Sequence, residues 1–321
     1  MQVDSSQVEF ALGTVCSITL FDQGQDKVYH DVFTRIHEID NLMSVNIPSS
    51  DVSRINAAAG IEPVQVNEDV FKVIERAVFF AQLSGGAFDP AVGPLVSLWG
   101  IGGDNPRVPS PQEIEAALPL INWRDVELDA ETKSVFLKRR GMSLDLGAIA
   151  KGYAADEAAQ IIIKAGIKRA IIDLGGDIAI PPGEKKDKSP WKIGIQNPNE
   201  KKGSFLGILK TQGKDAQTSV VTSGVYERFF ESEGKRYHHI FSPSTGYPAN
   251  NNLLSVTVIA PNAMDADALS TAVFVLGYER GIKLINSFTG TEAVFVFDDL
   301  SVKITKGADF TLTDSSFRLE Q

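Results

Sequence analysis

Two of the four histidines in this sequence are adjacent, at His238 and His239. Imidazole is the side chain whose ordinary pKa suits it to exchange a proton near neutral pH. The surrounding segment, 236–241, is predicted to be a strand, in which neighbouring side chains point to opposite faces. At most one of the two is therefore expected to face a given site. This disfavours a metal ion held by both and favours a single acid–base histidine, the alternative being that both are structural.

A carboxylate and a hydroxyl stand four residues apart, at Asp267 and Thr271, in a segment predicted to be a helix from about 263 to 276. Residues four apart share a helix face, while the apolar Leu269, Val273 and Leu276 cluster on roughly the opposite face. Hard oxygen ligands of this kind suit Mg²⁺, which fills its other positions with water and ligand phosphate. The pair indicates either a magnesium site or simply a polar helix face.

A lysine follows a glycine at a predicted helix start, in the segment Asp145–Lys151. Gly147 lets the backbone approach a ligand closely, and helix N-termini attract phosphate through unpaired N–H groups. Lys151, in the first turn, could reach the same phosphate. The glycine spacing and Lys-Ser/Thr pair of a P-loop are absent. The alternative is a solvated lysine.

The segment from Gly86 to Leu95, followed by Leu98-Trp99-Gly100, combines glycine and proline with large apolar side chains. Such a loop could wrap a planar ring. The alternative is a packed surface loop.

Composition limits the classes of ligand. The 321 residues carry a formal net charge of −10, with 43% hydrophobic and 22% charged residues, as in an ordinary globular protein. No basic cluster is present, so nucleic acid is a poor candidate ligand. Any polyanionic ligand needs local help from a metal ion and backbone N–H groups.

Other signals are weaker. The single cysteine, Cys16, excludes an intramolecular disulfide and lies in the strand-like segment 14–20, where a small core residue is expected. No run of 18 apolar residues could span a membrane. The first six residues lack the basic and apolar regions of a leader, so we expect either a cytoplasmic protein or a mature chain whose leader has been removed.

The elements that must position these residues form an irregular series. Helices are predicted at about 26–43, from 49–51, and at 68–84, 109–118, 149–164, 263–276 and 279–287. Strands are predicted at 8–22 (one strand or half of a hairpin), 64–66, 125–128, 134–138, 169–174, 190–196, 204–211, 236–241, 254–259 and 293–297. Residues 87–109 are predicted to be loop. Many short strands mixed with helices favour an α+β fold over a regular βαβ series.

Taken together, the motifs resemble those of the ApbE-like FAD:protein FMN transferases over roughly 12–312. The motifs, in order, are Gly-Ala-Phe-Asp-Pro-Ala-Val-Gly-Pro-Leu (86–95), Asp-Leu-Gly-Ala-Ile-Ala-Lys-Gly-Tyr-Ala-Ala-Asp (145–156), Asp-Leu-Gly-Gly-Asp (173–177), Thr-Ser-Gly-Val-Tyr-Glu-Arg-Phe (222–229), His-His-Ile (238–240), Pro-Ser-Thr-Gly-Tyr-Pro (243–248) and Asp-Ala-Leu-Ser-Thr-Ala (267–272).

The resemblance implies a single α+β catalytic unit of T-fold-like architecture over 1–321, with FAD as substrate and Mg²⁺ on its pyrophosphate. It assigns His239 as the catalytic residue. The implied metal ligands are the Ala148 carbonyl, Asp267 and Thr271. The implied FAD contacts are Leu12, Asn46, Ala87, Phe88, Asp89, Asp145, Lys151, Ile240 and Phe241.

The implied reaction moves FMN from FAD onto a Thr or Ser hydroxyl of an acceptor flavoprotein and releases AMP. Hydrolysis of FAD to FMN and AMP at the same site, or flavin binding without catalysis, are the alternatives. The resemblance also implies that the acceptor is a membrane-associated subunit of a respiratory complex and that the enzyme is periplasmic, as a lipoprotein in its full-length form.

Three positions depart from the family pattern. Leu12 stands where Met is usual, and Ser242 stands where Asp is common in the loop after His239. Asn46 replaces an aromatic residue, often Tyr. Because an amide has no ring to exclude water, Asn46 is predicted either to open the pyrophosphate to hydrolysis or merely to cap the turn at Ile47.

Overall fold

The structure is a computed structural model that describes residues 5–22, 26–201, 203–211, 213 and 215–320. It has the α+β architecture predicted from the sequence. The helices are α1 (Asp26–Met43), α2 (Asp51–Ala57), α3 (Glu68–Leu83), α4 (Gly93–Trp99), α5 (Pro111–Ala117), α6 (Ala150–Lys164), α7 (Ala263–Leu276) and α8 (Tyr278–Asn286). The strands are β1 (Ser5–Ala11), β2 (Thr14–Leu20), β3 (Val64–Gln65), β4 (Val126–Asp129), β5 (Ser134–Leu137), β6 (Ala170–Leu174), β7 (Asp177–Ile180), β8 (Trp191–Gln196), β9 (Phe205–Thr211), β10 (Thr218–Gly224), β11 (Phe229–Ser232), β12 (Lys235–His238), β13 (Leu253–Ala260), β14 (Glu292–Phe297), β15 (Ser301–Ile304), β16 (Phe310–Leu312) and β17 (Arg318–Glu320).

A nine-stranded sheet forms the centre of the molecule, in the order β1-β2-β6-β7-β10-β13-β14-β15-β17. Its strands pair antiparallel except for the parallel pair β15–β17. One face packs against α1, α6, α7 and α8 to form the main core. Part of the other face is covered by the three-stranded sheet β16-β9-β8, which encloses a second core around Trp191. Cys16 is a buried member of the main core, as predicted.

Helix α7 is enclosed on nearly every side, between α6 and strands β10 and β13. Most of its residues are Ala, Leu, Val or Phe, so its apolar surface is much wider than a single stripe. It approaches α6 most closely at Gly152, where a Cβ atom would lie 2.2 Å from the carbonyl oxygen of Ala263. Its N-terminus is capped by the Asn262 side chain and by Asp156 of α6, whose carboxylate accepts from the N–H groups of Ala263 and Met264.

The long helices, the β4–β5 hairpin and most of the longer strands lie close to their predicted positions, but three predictions were wrong. The segment 8–22 is not one strand: residues 5–20 form the whole β1–β2 hairpin, whose two-residue turn has positive φ at Leu12 (53°) and Gly13 (68°). This is the backbone shape of a tight hairpin turn.

The predicted loop at 87–109 contains helix α4. Its Pro94 lies in the first helical turn and Gly100 ends the helix at φ 61°. These residues mark the two ends of a helix rather than the absence of one. Strand β12 ends at His238, so His239 belongs to the following loop and not to the predicted strand.

Strands β7, β10, β11, β15, β16 and β17 were not predicted. Five of them have only three or four residues, too few for an alternating pattern to stand out. The single catalytic unit predicted over 1–321 stays a prediction, and its ends at 1–4 and 321 lie outside the described residues.

Candidate functional site

A cavity of about 370 Å³ opens where turns at one end of the central sheet meet α7 and the start of α6. The β1–β2 and β6–β7 turns and the end of β10 supply one wall, and the loops before α4 and after β12 supply another. The residues that line it are Gly13, Thr14, Ala87, Phe88, Asp89, Val92, Val96, Ile101, Asp145, Gly147, Ala148, Lys151, Gly175, Asp177, Thr222, Ser223, Gly224, Glu227, Arg228, His239, Ile240, Phe241, Pro243, Asp267 and Thr271.

The structure brings together most of the residues that the sequence singled out. Those lining the cavity are Ala87, Phe88, Asp89, Asp145, Ala148, Lys151, His239, Ile240, Phe241, Asp267 and Thr271. Leu12 and Asn46 are not among them. The Leu12 N–H donates to Asp40 Oδ2 at 2.9 Å, and its neighbours Gly13 and Thr14 reach the cavity instead. Asn46 is exposed just after α1, with its N–H 3.2 Å from Ser44 Oγ, so its predicted effect on hydrolysis stays a prediction.

Lys151 lies among carboxylates. Its Nζ is 2.9 Å from Asp177 Oδ2, 3.3 Å from both carboxylate oxygens of Asp267, and 3.2 Å from the Gly147 carbonyl oxygen. Although burial opposes the charged form, Asp177 and Asp267 hold the pKa of Lys151 above its ordinary value. Burial raises the pKa of Asp177 to about 7, with Asp267 adding to the rise and Lys151 opposing it. The lysine is therefore a fixed cation in the cavity wall rather than the solvated side chain of the alternative interpretation.

The two histidines have opposite hydrogen-bonding patterns. Nδ1 of His238 accepts from the Ile240 N–H at 3.3 Å, so its Nε2 carries the proton and donates to the Ala249 carbonyl at 2.9 Å. His239 Nδ1 lies 3.1 Å from the Arg228 carbonyl and must donate to it, which leaves Nε2 as a proton acceptor. Only His239 lines the cavity, as the prediction of a single site histidine requires.

Desolvation keeps His239 neutral. Burial in the cavity wall lowers its pKa to about 3, and the positive charges of Arg228 and Lys151 contribute to the shift. An imidazole with so low a pKa has an unprotonated Nε2 throughout the neutral range. It can accept a proton but does not begin by carrying a second one.

The loop after His239 is held without the aspartate that the family pattern has at Ser242. The Ser242 N–H donates to the Tyr247 carbonyl at 2.8 Å, and the Gly246 N–H donates to the Ser242 carbonyl at 2.8 Å. Trp99 Nε1 donates to the Gly246 carbonyl at 2.9 Å, and its buried ring packs beside Phe241. Helix α4, absent from the sequence prediction, thus supplies the anchor for this loop.

The Asp89 side chain stabilises the 87–89 segment through hydrogen bonds with the backbone. Its two carboxylate oxygens accept from the Ala91 N–H at 2.9 Å and the Trp123 N–H at 3.0 Å. Burial raises the pKa of Asp89 to about 6 despite these bonds. Phe88 is only 4% exposed, so its ring is largely part of the core and the segment presents little free aromatic surface to a ligand.

A chain of hydroxyls leaves Thr271 open to the cavity. Ser270 Oγ donates to the Asp267 carbonyl at 2.9 Å, so it accepts from Ser223 Oγ at 2.8 Å. Because the Ser223 hydroxyl proton is used in the hydrogen bond to Ser270, Ser223 Oγ accepts from Thr271 Oγ1 at 3.1 Å. The lone pairs of Thr271 therefore remain available for a cation.

The Ala148 carbonyl is also left for a ligand, because it precedes the N-cap Ile149, whose carbonyl accepts the first helical hydrogen bond, from the Tyr153 N–H at 3.1 Å. The Gly152 N–H, which like the other first N–H groups of a helix has no helical acceptor, donates to Asp267 Oδ2 at 3.0 Å. A carboxylate, a hydroxyl and a released carbonyl form an oxygen-only set that fits Mg²⁺. The cavity lining also holds five carboxylates and two basic side chains, Lys151 and Arg228, so a divalent cation would favour the binding of a pyrophosphate.

Asp177, Glu227, Arg228 and Ser223 were not predicted as site residues, although all line the cavity. Each lies in a motif that carried the resemblance, at 173–177 or 222–229. The signal was present, but nothing in the local pattern gave these residues a role. Their position depends on β7 and β10 lying side by side.

Comparisons with known proteins identify the family of the chain. The ApbE family profile matches residues 12–295. The FAD:protein FMN transferase of Treponema pallidum is 38% identical over 98% of this chain and 91% of that protein. A protein of the same name from Klebsiella pneumoniae is 39% identical over 90% of this chain and 88% of that protein.

Solved structures share the whole fold. The ApbE protein of Thermotoga maritima superposes with a TM-score of 0.82 at 36% identity, covering 98% of each chain. The flavin transferase ApbE from Vibrio cholerae gives a TM-score of 0.81 at 28% identity, again covering 98% of each chain. The chain therefore belongs to the ApbE family.

Proposed function

We propose that this protein is a Mg²⁺-dependent FAD:protein FMN transferase that moves FMN from FAD to a Thr or Ser hydroxyl of an acceptor protein and releases AMP. One observation carries the proposal: a neutral His239, the fixed Lys151 and the oxygen set of Ala148, Asp267 and Thr271 line the same cavity. The names of the relatives support the flavin and protein substrates. The cavity volume lies within the ordinary range for small-molecule sites, about 300–1,000 Å³.

The reaction forms a bond between the acceptor oxygen and the FMN-side phosphorus and breaks the bond from that phosphorus to the bridging oxygen. The bridging oxygen leaves with AMP. Nε2 of His239 accepts the proton of the attacking hydroxyl, while the Arg228 carbonyl holds the other ring nitrogen and fixes the tautomer. Mg²⁺ on the pyrophosphate would supply charge neutralisation there.

Lys151 and apolar lining residues complete the proposed site. Held by Asp177 and Asp267, Lys151 keeps a positive charge in a fixed place beside the phosphates, without the reorganisation that a mobile side chain requires. Val92, Val96 and Ile101 also line the cavity and add apolar surface to its wall.

Incubation of the protein with FAD, Mg²⁺ and an unmodified acceptor separates the candidates. Covalent flavin on the acceptor together with free AMP supports the transferase. Free FMN and AMP without covalent flavin would make the protein an FAD pyrophosphatase. Intact FAD bound to the protein would make it a flavin carrier and refute the proposal.

The cellular setting is proposed on resemblance alone. We infer a periplasmic enzyme, lipid-anchored in its full-length form, that modifies a membrane-associated subunit of a respiratory complex. Within the part of the chain that the structure describes, no helix has the length and apolarity to cross a membrane. Cell fractionation and lipid labelling of the full gene product test this, and recovery of unlabelled protein in the cytoplasmic fraction would refute it.

A further inference from the structure

The side chain of Arg228 lies across the mouth of the cavity. It is exposed and is also one of the residues that line the cavity. A Cβ atom at Gly102 would lie 3.3 Å from its Cδ, and one at Gly13 would lie 3.6 Å from its Nη2. Nη2 is 3.5 Å from the Gly13 carbonyl oxygen. The side chain therefore reaches from the loop after α4 to the β1–β2 turn, over two glycines that leave room for it.

Arg228 differs from Lys151 in how its charge is balanced. Lys151 is paired with Asp177 and Asp267. Among the residues that the structure describes, no carboxylate forms an ion pair with Arg228, whose contact with the Gly13 carbonyl is long for a hydrogen bond. A guanidinium has five N–H donors in a planar fork, so four of them remain for a ligand. An anionic ligand that enters the cavity meets in Arg228 a positive charge that no ion pair offsets.

Arg228 is also a neighbour of His239. Its carbonyl accepts both the His239 backbone N–H and the Nδ1–H of the ring, each at 3.1 Å. Burial is the main cause of the low pKa of His239, and the guanidinium charge of Arg228 adds to the shift. The guanidinium is therefore close enough to the imidazole for its charge to act there.

The position beside His239 identifies which phosphate Arg228 would meet. In the proposed reaction Nε2 of His239 takes the proton of the attacking hydroxyl. That hydroxyl approaches the FMN-side phosphorus in line with the bridging oxygen and opposite to it. A cation next to His239 thus lies on the FMN side of the pyrophosphate, away from the phosphate that leaves with AMP.

We propose that Arg228 binds the FMN-side phosphate of FAD, with its guanidinium donating to the two non-bridging oxygens. The inference rests on the proposed transferase function, which places that phosphate beside His239. Arginine suits this contact because its planar fork matches two phosphate oxygens at once. Held in this way, the phosphorus is oriented for attack, and the charge on its oxygens is stabilised while one P–O bond breaks and the other forms.

The test uses the full protein with Arg228→Met, which keeps an unbranched side chain, removes the charge and leaves the carbonyl that holds His239 in place. Arg228→Lys is the conservative variant. Arg236→Met is the matched control, because Arg236 lies outside the cavity lining, where it pairs with Glu231 and covers the ring of Phe229. The probes are FMN, riboflavin and AMP at one fixed Mg²⁺ concentration. Flavin fluorescence measures the first two dissociation constants, and calorimetry measures the third.

We expect the wild type to bind FMN more tightly than riboflavin, which lacks the phosphate. Arg228→Met should weaken FMN binding at least about tenfold, as for lost hydrogen bonds to a charged group, and leave the affinities for riboflavin and AMP unchanged. Arg228→Lys should recover part of the FMN affinity, since an ammonium keeps the charge but lacks the fork. Arg236→Met should match the wild type with all three probes, and all variants should melt at the wild-type temperature.

Other outcomes refute the phosphate contact in distinguishable ways. Unchanged FMN affinity in Arg228→Met would show that the guanidinium does not bind this phosphate. Equal losses for FMN and AMP would show that it attracts any anion, and equal losses for FMN and riboflavin would show that it supports the flavin ring instead. Because none of the probes needs an acceptor, failure of the proposed function is read separately. If the wild type transfers no FMN to an acceptor but Arg228→Met loses FMN affinity alone, the transferase function is wrong and the phosphate contact stands.

Discussion

At the scale of single residues, the two adjacent histidines differ in what they can do with a proton. His238 uses both ring nitrogens inside the protein, one accepting from Ile240 and the other donating to Ala249. His239 lines the cavity and donates from Nδ1 to the Arg228 carbonyl, which leaves the lone pair of Nε2 available as an acceptor. The difference arises because β12 ends between them, which places one ring in the core and the other in the cavity wall.

Because of this difference, a substitution of His239 should affect mainly the transfer rate, and a substitution of His238 should affect mainly the thermal stability. His239→Ala should bind FAD with nearly wild-type affinity but lose roughly 10²–10⁴-fold in transfer rate, the range typical of general-base removal. His238→Ala should keep most of its transfer rate at a temperature where it is folded. It should melt at a lower temperature, because it leaves the Ala249 carbonyl and the Ile240 N–H unpaired. Single-turnover transfer and thermal melts measure the two effects. Equal losses of transfer rate in both variants, or loss of FAD binding in His239→Ala, would contradict the assignment.

The low pKa of His239 predicts a pH effect on the free protein. Burial lowers the pKa from an ordinary 6.5 to about 3, so between these values the unfolded chain takes up a proton at this residue that the folded chain does not. Its contribution to stability is therefore present above pH 6.5 and is lost as the pH falls toward 3. A variant that lacks the imidazole should not show this loss of stability as the pH falls.

The melting temperatures of wild type and His239→Gln, measured without ligand at pH 7.5 and pH 5, test this sign. We expect the wild type to lose more stability on acidification than the variant. All other titrating groups, including His238, occur in both proteins and cancel in the comparison. Parallel pH dependences would show that His239 takes up its proton equally well in the folded state.

The sequence was sufficient to single out His239, Lys151 and Asp267 by the chemistry of their own side chains, and the structure places all three in one cavity, while their roles stay predictions. It was not sufficient for Asp177 and Arg228, whose places in the cavity depend on neighbours far away in the chain. Asp177 contacts Lys151 because the β6–β7 turn faces the start of α6, and Arg228 matters to His239 through a backbone carbonyl that any residue would supply. Residue type and spacing carry no trace of either contact.

At the scale of elements, the contact between α6 and α7 builds the oxygen set. Gly152 lets the two helices approach so closely that its N–H reaches Asp267 across the interface. The sequence correctly predicted that both segments are helices and that Asp267 and Thr271 share a face. It predicted one polar face and one apolar face and not the enclosure of the whole helix, because periodicity records which residues are apolar and not how many elements surround them. Enclosed by α6, β10 and β13, α7 presents Asp267 and Thr271 to the cavity.

Gly152→Ala is predicted to disrupt this contact. The added Cβ would lie 2.2 Å from the Ala263 carbonyl oxygen, so the helices must separate, at a cost of about 1–3 kcal/mol typical of overpacking. Separation also withdraws the N–H from Asp267, and transfer should need more magnesium to reach half its maximal rate. Gly103→Ala is the control, because there the nearest atom to a new Cβ is 3.4 Å away. Unchanged stability and an unchanged magnesium requirement in Gly152→Ala would show that the close approach is not needed.

At the scale of the whole molecule, an acidic protein must bind a substrate that is itself anionic. The chain has a formal net charge of −10, and carboxylates outnumber cations in the cavity lining. Burial already raises the pKa values of Asp89 and Asp145, so the site disfavours additional negative charge. FAD without a divalent cation should therefore bind weakly, and the cation should bind weakly without FAD.

This coupling predicts how the melting temperature responds to ligands. FAD and Mg²⁺ together should stabilise the protein by more than the sum of their separate effects. At free FAD of 100 times its dissociation constant, the gain would be about 2.7 kcal/mol, or roughly 5 °C in melting temperature.

Asp267→Asn should retain the small effect of FAD alone and lose the extra stabilisation that Mg²⁺ adds, since an amide oxygen lacks the charge that Mg²⁺ prefers. Asp265→Asn is the matched control, because Asp265 lies on the same helix and pairs with Arg76 outside the cavity lining. Differential scanning fluorimetry with FAD, Mg²⁺, both ligands, or both with excess chelator measures all four conditions. A magnesium-dependent increment of equal size in Asp267→Asn and Asp265→Asn would show that the cation is held elsewhere.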